Sequence, residues 1–254
     1  MINDSKVTSI NNLFEMLNDN QINYWLDAGT LLKGVRDRDF LNSSDIDLAI
    51  KWEDHNKVIA LKSQLIESGY EVVIQNSLPF LEDIYTIILP KAINQIRSVD
   101  IYIYHQFEDE WVRRSIHKPL INHYSRHIYF LAKRLLIHEK YEGGFSKLLY
   151  IIPFKLRFTL GRLIFKIYER YGKTNWFVVP DRFFAEFTRI KIYGISFVIP
   201  KLSEDYLKYR YGESWRIPIK RELWCMKWKN SETKFLQQRK LMHFDNFERH
   251  WLSK

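Results

Sequence analysis

Asp45-Ile46-Asp47 is the feature of the sequence that most directly implies chemistry. On a strand, residues two apart project to one face, so both carboxylates point together while Ile46 turns into the core. Acids held side by side repel unless a hard cation lies between them, and Mg²⁺ with phosphate oxygens is the usual answer. An isolated pair of this kind is more often solvated decoration of an exposed strand face, so its neighbours matter. Upstream, Leu26-Asp27-Ala28-Gly29-Thr30 puts a glycine and a hydroxyl at the end of a strand. There the backbone can approach a phosphate closely and aim N–H groups at it. Downstream, Asp100 interrupts the apolar run VDIYIY. An acid there is either a third metal-site carboxylate or a strand-end acid with a local hydrogen bond.

These residues need elements to position them. A helix is expected from Asp4 or Ser5, with Ile10, Leu13, Phe14 and Leu17 on one face. Ile22–Asp27 reads as a short aromatic strand, and Gly29-Thr30 open a turn or helix that ends in a polar loop over 36–44. Asp45–Trp52 alternates as a strand does. Residues 54–68 have helical spacing through Val58, Leu61, Leu65 and Ile66, and Gly69 is placed to stop that helix. Strands are expected over 70–75, over 84–89 before Pro90, and over 98–104, forming a mixed sheet with helices against it. In the second half, 123–140, 145–171 and the last thirty-odd residues read as helical. A hairpin is expected over 187–200, turning at Tyr193-Gly194. A short helix over 203–211 has Ser203 as its cap and Gly212 beyond its end.

Charge divides the chain. Residues 1–127 hold 13 basic and 18 acidic residues, net −5, whereas 128–254 hold 26 and 12, net +14. The whole-chain charge of +9 therefore belongs to the second half, where an anionic partner is sought. The change in charge also sets the expected division into a catalytic core over 1–120 and a basic helical and hairpin region over 121–254. Hydrophobic residues make up 46%, which excludes a disordered chain, and no apolar run is long enough to span a membrane. A single cysteine, Cys225, rules out a disulfide framework and a Cys-based zinc site and fits a reducing compartment. The polar opening MINDSKVTSINN carries no expectation of a signal peptide.

Two motif groups in order resemble a known family. A strand ending in Gly-Thr, Asp-x-Asp on the next strand and an acid on a later one resemble the nucleotidyltransferase superfamily. More narrowly, YWLDAGTLLKGVRDRDF followed by DIDLAI is similar to the LicD/fukutin family of phosphotransferases. Val179-Pro180, Tyr193-Gly194, Ile199-Pro200, Asp205-Tyr206-Leu207 and Tyr211-Gly212-x-x-Trp215-x-x-Pro218 look like that family's distal signature. The resemblance covers about residues 22–50, 97–104 and 178–218. It departs at Asn42-Ser43-Ser44, where many members carry a Trp and further acids.

The resemblance implies an α+β chain with a nucleotidyltransferase-fold mixed sheet flanked by helices and a basic, mainly helical second half. It also implies transfer of a phospho-alcohol from a CDP-activated donor to a glycan hydroxyl, releasing CMP. Asp45 and Asp47 would hold Mg²⁺ (or Mn²⁺), and Asp100 would complete that site or act as general base. Gly29 and Thr30 would seat the donor phosphates, Arg36 would clamp them with its guanidinium fork, and Asp27 would contribute a supporting hydrogen bond on the substrate side. Trp215 and Tyr211 are expected to pack the distal segment onto the core. The expected location is cytoplasmic, peripheral to the inner face of a membrane, with a lipid-linked glycan as one form of acceptor.

Other readings are weighed alongside. Asp-x-Asp also serves metal-dependent glycosyltransferases, although the earlier Gly-Thr and later Asp100 argue against them here. A third reading, of another class, is a non-catalytic nucleic-acid or membrane-binding module that exploits the basic half. Nucleic acid is not the expected partner, because Arg113-Arg114 and Arg239-Lys240 are too short to be signatures. Residues 145–173 carry seven basic and one acidic residue among large apolar side chains. They read as core helices with a solvated basic face or as an element lying on anionic lipid. His123-x-x-x-His127 has metal-ligand spacing, with His117 and His138 nearby, but lacks the glutamate of a zinc hydrolase, and no Gly-x-Ser-x-Gly elbow occurs.

Overall fold

The computed structural model describes residues 4–40, 43–74, 84–93, 96–115, 151–171 and 175–219, with residues 128, 131–132, 134–135 and 149 besides. The expected histidine-bearing helix over 123–140 is described only at residues 128, 131–132 and 134–135; His117, His123, His127 and His138 lie outside the described residues, as do Asn42 and the C-terminal helical stretch. Helix α1, Asp4–Asp19, buries Ile10, Leu13, Phe14 and Leu17 as its spacing dictates. Strand β1, Tyr24–Leu26, is wholly buried and leads into helix α2, Ala28–Arg36. Strand β2, Asp45–Lys51, carries the Asp-x-Asp at its start. A 3-10 turn at Trp52–Asp54 precedes helix α3, His55–Glu67. Val58, Leu61 and Leu65 of α3 are buried, but Ile66, expected on the same face, is 52% exposed. Gly69, at φ +87°, ends the turn in a conformation that suits glycine.

Strands β3, Glu71–Ile74, β4, Ile84–Ile93, and β5, Ile96–Phe107, complete the central sheet in the order β1-β2-β5-β4-β3. Only the β2–β5 pair is parallel; the other neighbours are antiparallel. The sheet is therefore mixed, with helices against it, and the chain is of α+β class. Strand β4 runs past Pro90, where its end was expected. A register irregularity between Ile88 and Ile93 takes the proline out of the regular ladder.

Two strands had no expectation from sequence: β6, Glu110–Ser115, and β7, Asn175–Pro180. Strand β6 pairs with both β5 and β7, so a segment of the basic half joins the same sheet. Helix α4, Phe154–Tyr171, begins just after Pro153, as the fixed φ of proline favours. The expected hairpin is present as β8, Phe187–Ile192, and β9, Ile195–Pro200. Its turn uses Tyr193 at φ +53° and Gly194 at φ +81°, the doubly left-handed geometry of a tight hairpin. Helix α5 spans Ser203–Tyr211, but its cap position is Leu202 without a side-chain cap bond, not Ser203. Gly212 follows at φ +85°.

One apolar core joins these parts. Phe197 of β9 packs edge-on against Phe14 of α1 at 5.2 Å and Phe40 at 5.4 Å, and Phe184 lies 4.7 Å from Trp25. Tyr206, Leu207 and Trp215 belong to the same cluster. Among the described residues no helix is long and apolar enough to cross a membrane.

Candidate active site

Register brings the acids together. In the parallel β2–β5 pair, Asp45 stands opposite Ser98 and Asp47 opposite Asp100, so three carboxylates share one face at the start of two neighbouring strands. One oxygen from each of Asp45, Asp47 and Asp100 lies within 4.8 Å of the others. An all-oxygen donor set of this charge fits a hard divalent cation such as Mg²⁺ or Mn²⁺. Each acid also has a supporting donor: Ser44 Oγ to Asp45 at 2.9 Å, Thr86 Oγ1 to Asp100 at 2.8 Å, and Tyr102 Oη to Asp47 at 3.1 Å. Such bonds fix carboxylate orientation at a metal site.

Helix α2 secures Asp47. Its first N–H groups, on Gly29 and Thr30, donate to Asp47 Oδ2 at 3.0 and 3.3 Å. In return, the Asp47 N–H donates to Thr30 Oγ1 at 2.8 Å, and the Asp27 N–H donates to the Asp47 carbonyl at 3.0 Å. A Cβ on Gly29 would lie 3.3 Å from Asp47 Oδ2, so the close approach uses the missing side chain. Ala28, immediately before it, sits at φ +46°, a left-handed conformation uncommon for alanine. Gly29 and Thr30 were expected to seat donor phosphates; in this structure their amides donate to the Asp47 carboxylate, an anion at the helix terminus.

Electrostatically, Asp47 is the perturbed member of the triad. It is 9% exposed. Burial, then the charges of Asp45 and Asp27, push its carboxyl from 3.8 up to about 6, against the opposing pull of Arg210 and the Tyr102 hydroxyl. A cation between the acids would relieve that repulsion.

Asp27, expected to contribute a supporting hydrogen bond on the substrate side, lies in the interior. Its carboxylate is completely buried and accepts from Tyr104 Oη at 2.9 Å, Tyr206 Oη at 2.7 Å and Arg210 Nη1 at 2.9 Å. Burial alone would raise this carboxyl, but the Arg210 and Arg113 guanidiniums and the Tyr206 hydroxyl hold it below the usual range. Asp27 is thus a positioning residue that ties α5 beneath the α2–β2 junction. Tyr206 and Arg210, four apart on α5, reach it together. Arg36, the expected phosphate clamp, forms a two-pronged pair with its neighbour Asp37, both bonds at 2.7 Å. That contact occupies the fork expected to meet phosphate.

The residues missed from the sequence are Tyr102, Tyr104, Arg113, Tyr206 and Arg210. Tyr102 and Tyr104 follow Asp100 at intervals of two on β5, so strand alternation alone would have put them on the site's face. Arg113 and Arg210 had no local signal.

A mixed α+β fold with three convergent carboxylates defines the class to which comparison with known proteins can be added. No protein-family model matches the chain. A Rickettsia prowazekii (strain Madrid E) protein described as uncharacterized protein RP689 is 29% identical over 134 residues, 51% of this chain and 43% of its own length. The chain thus matches less than half the length of that relative. Among solved structures, the lincosamide antibiotic adenylyltransferase LnuA with lincomycin bound is 13% identical, covering 91% of this chain and 98% of its own, at a TM-score of 0.38. The antibiotic-resistance factor ANT(2'')-Ia is 14% identical in its solution structure, covering 67% and 91%, at a TM-score of 0.31. Its complex with adenylyl-2''-tobramycin is 12% identical, covering 66% and 99%, at 0.30. These are partial likenesses of fold alone.

Proposed function

We propose that this chain is a divalent-metal-dependent phosphotransferase of the LicD type, built on a nucleotidyltransferase-like core. It moves a choline-, ribitol- or glycerol-phosphate group from a CDP-linked donor to a glycan hydroxyl and releases CMP. The observation that carries the reading is the convergence of Asp45, Asp47 and Asp100, with Asp47 gripped by the first amides of α2. The three acids would hold Mg²⁺ or Mn²⁺, which when bound offsets the charge of the donor pyrophosphate.

The chain's own groups supply the rest. The acceptor oxygen forms a bond to the distal phosphorus of the donor as the bond to the CMP oxygen breaks. The acceptor proton passes to a carboxylate, and Asp100 would take that part. Asp47 is unsuited to that task because three hydrogen bonds to its carboxylate and two through its backbone lock it in place. Tyr102 and α2 keep it oriented.

The acceptor is a surface or lipid-linked glycan precursor. Helix α4 supports a membrane-side acceptor: Leu156, Leu160 and Leu163 are 62%, 41% and 55% exposed on one stripe, with Lys155 and Arg162 exposed beside them. That is the arrangement of a helix lying on anionic lipid.

CMP release from CDP-choline, CDP-ribitol and CDP-glycerol, each with and without Mg²⁺, tests the reading. Asp47→Asn should keep the fold and abolish Mg²⁺-dependent release. Near-normal turnover in that variant removes the metal role, and release of pyrophosphate in place of CMP moves the protein to nucleotidyl transfer.

A further inference from the structure

Arg113 lies on β6, which pairs with the strand that carries Asp100, and is only 5% exposed. Its guanidinium carbon stands 4.0 Å from the Tyr102 ring centre, 5.2 Å from Phe177 and 5.7 Å from Tyr104. Among the described residues it makes one hydrogen bond, from Nε to Tyr104 Oη at 3.3 Å, and no ion pair. The buried acid nearest in chemistry, Asp27, is instead paired with Arg210 at 2.9 Å. The terminal nitrogens of Arg113 make no hydrogen bond among the described residues.

A guanidinium withdrawn from water needs compensation. Aromatic faces supply part of it. The planar fork itself, with its terminal donors, is left for an anion. The Tyr102 ring under Arg113 carries the hydroxyl that donates to Asp47, so one side chain separates this cation from the metal-binding carboxylates. A phosphate on a cation held by Asp45, Asp47 and Asp100 would have to reach past the Tyr102 ring to meet Arg113. Arg36 is engaged by Asp37 and Arg210 by Asp27.

We propose that Arg113 is the anion-binding residue of the site, its terminal amino groups taking phosphate oxygens of a metal-bound diphosphate. The inference rests on the proposed donor chemistry and replaces Arg36 as the clamp. The ligand class is the pyrophosphate of a nucleoside-diphosphate-linked substrate.

The test uses the full chain with Mg²⁺ and three probes, CDP, inorganic pyrophosphate and cytidine, by titration calorimetry. Arg113→Met should weaken CDP and pyrophosphate about 10- to 100-fold, the range for charged hydrogen bonds, and leave cytidine unchanged. Arg113→Lys, which keeps the charge but not the fork, should fall between. If Arg113→Met does not fold, Arg113→Lys decides: full-strength pyrophosphate binding overturns the inference. Equal losses for CDP and cytidine would show a packing role and also overturn it. Wild-type binding of pyrophosphate but not CDP would sink the cytidine donor while leaving Arg113 testable on pyrophosphate. Wild-type failure to bind any phosphate probe would end both.

Discussion

Replacing Asp47 by asparagine should stabilise the metal-free protein at neutral pH while removing its response to metal. Asp47 is buried beside Asp45, and its carboxyl is raised from 3.8 to about 6. A folded-state value above the unfolded one means that the native state favours the protonated form. The associated stability is fully present below 3.8 and is lost as pH rises through about 6. At roughly 1.4 kcal/mol per unit, ionised Asp47 costs about 3 kcal/mol at neutral pH. Asparagine keeps an oxygen to accept from Gly29 and Thr30 but carries no charge, so the variant should gain ~1–3 kcal/mol. For a chain of this size that is about 2–4 °C in Tm per kcal/mol. Thermal melts of both proteins, metal-free and with Mg²⁺ or Mn²⁺, at neutral and at acid pH, make the measurement. The gap should close near pH 4, and added metal should raise the Tm of the wild type alone. An asparagine variant no more stable than wild type at neutral pH, or equal metal shifts in both proteins, would refute the electrostatic account.

Arg210→Met should destabilise the fold by about 3–5 kcal/mol in urea unfolding, because it leaves Asp27 charged and unpaired in a closed interior. Combining it with Asp27→Asn should recover much of that loss. Gly29→Ala should lower metal affinity several-fold with a smaller change in stability, since its Cβ would press on Asp47 Oδ2 at 3.3 Å; direct Mn²⁺ titration measures this. Changing Leu156, Leu160 and Leu163 together to serine should abolish flotation with anionic vesicles while leaving CMP release from soluble acceptors intact. Equal flotation of variant and wild type would remove α4 as the lipid contact.

The acids of the site were legible because their placement depends on local rules. Asp45 and Asp47 share a face through strand alternation, and Asp100 stood out as a charge inside an apolar run. The same alternation explains why Ile46, Val99 and Ile101 are buried while their neighbours line the site. Helix α1 and the Tyr193-Gly194 hairpin were equally local, one set by apolar spacing and the other by a turn that demands positive φ. Ile66 shows the limit: helical spacing put it with Leu65, but in the fold it is 52% exposed.

The sequence alone therefore determined the class of fold, the three carboxylates and the chemistry to which an all-oxygen site is suited. The tertiary structure decided which buried cations meet the residues around that site. Arg210 reaches Asp27 across 183 positions of chain, and Arg113 reaches Tyr102 through a strand pairing that no periodicity announces. Arg36, adjacent to the motif, is held by Asp37, and the Gly29–Thr30 amides hold Asp47. The physical reason is that projection along a strand is a property of each segment. The partner of a buried charge is chosen only when distant segments pack and exclude water.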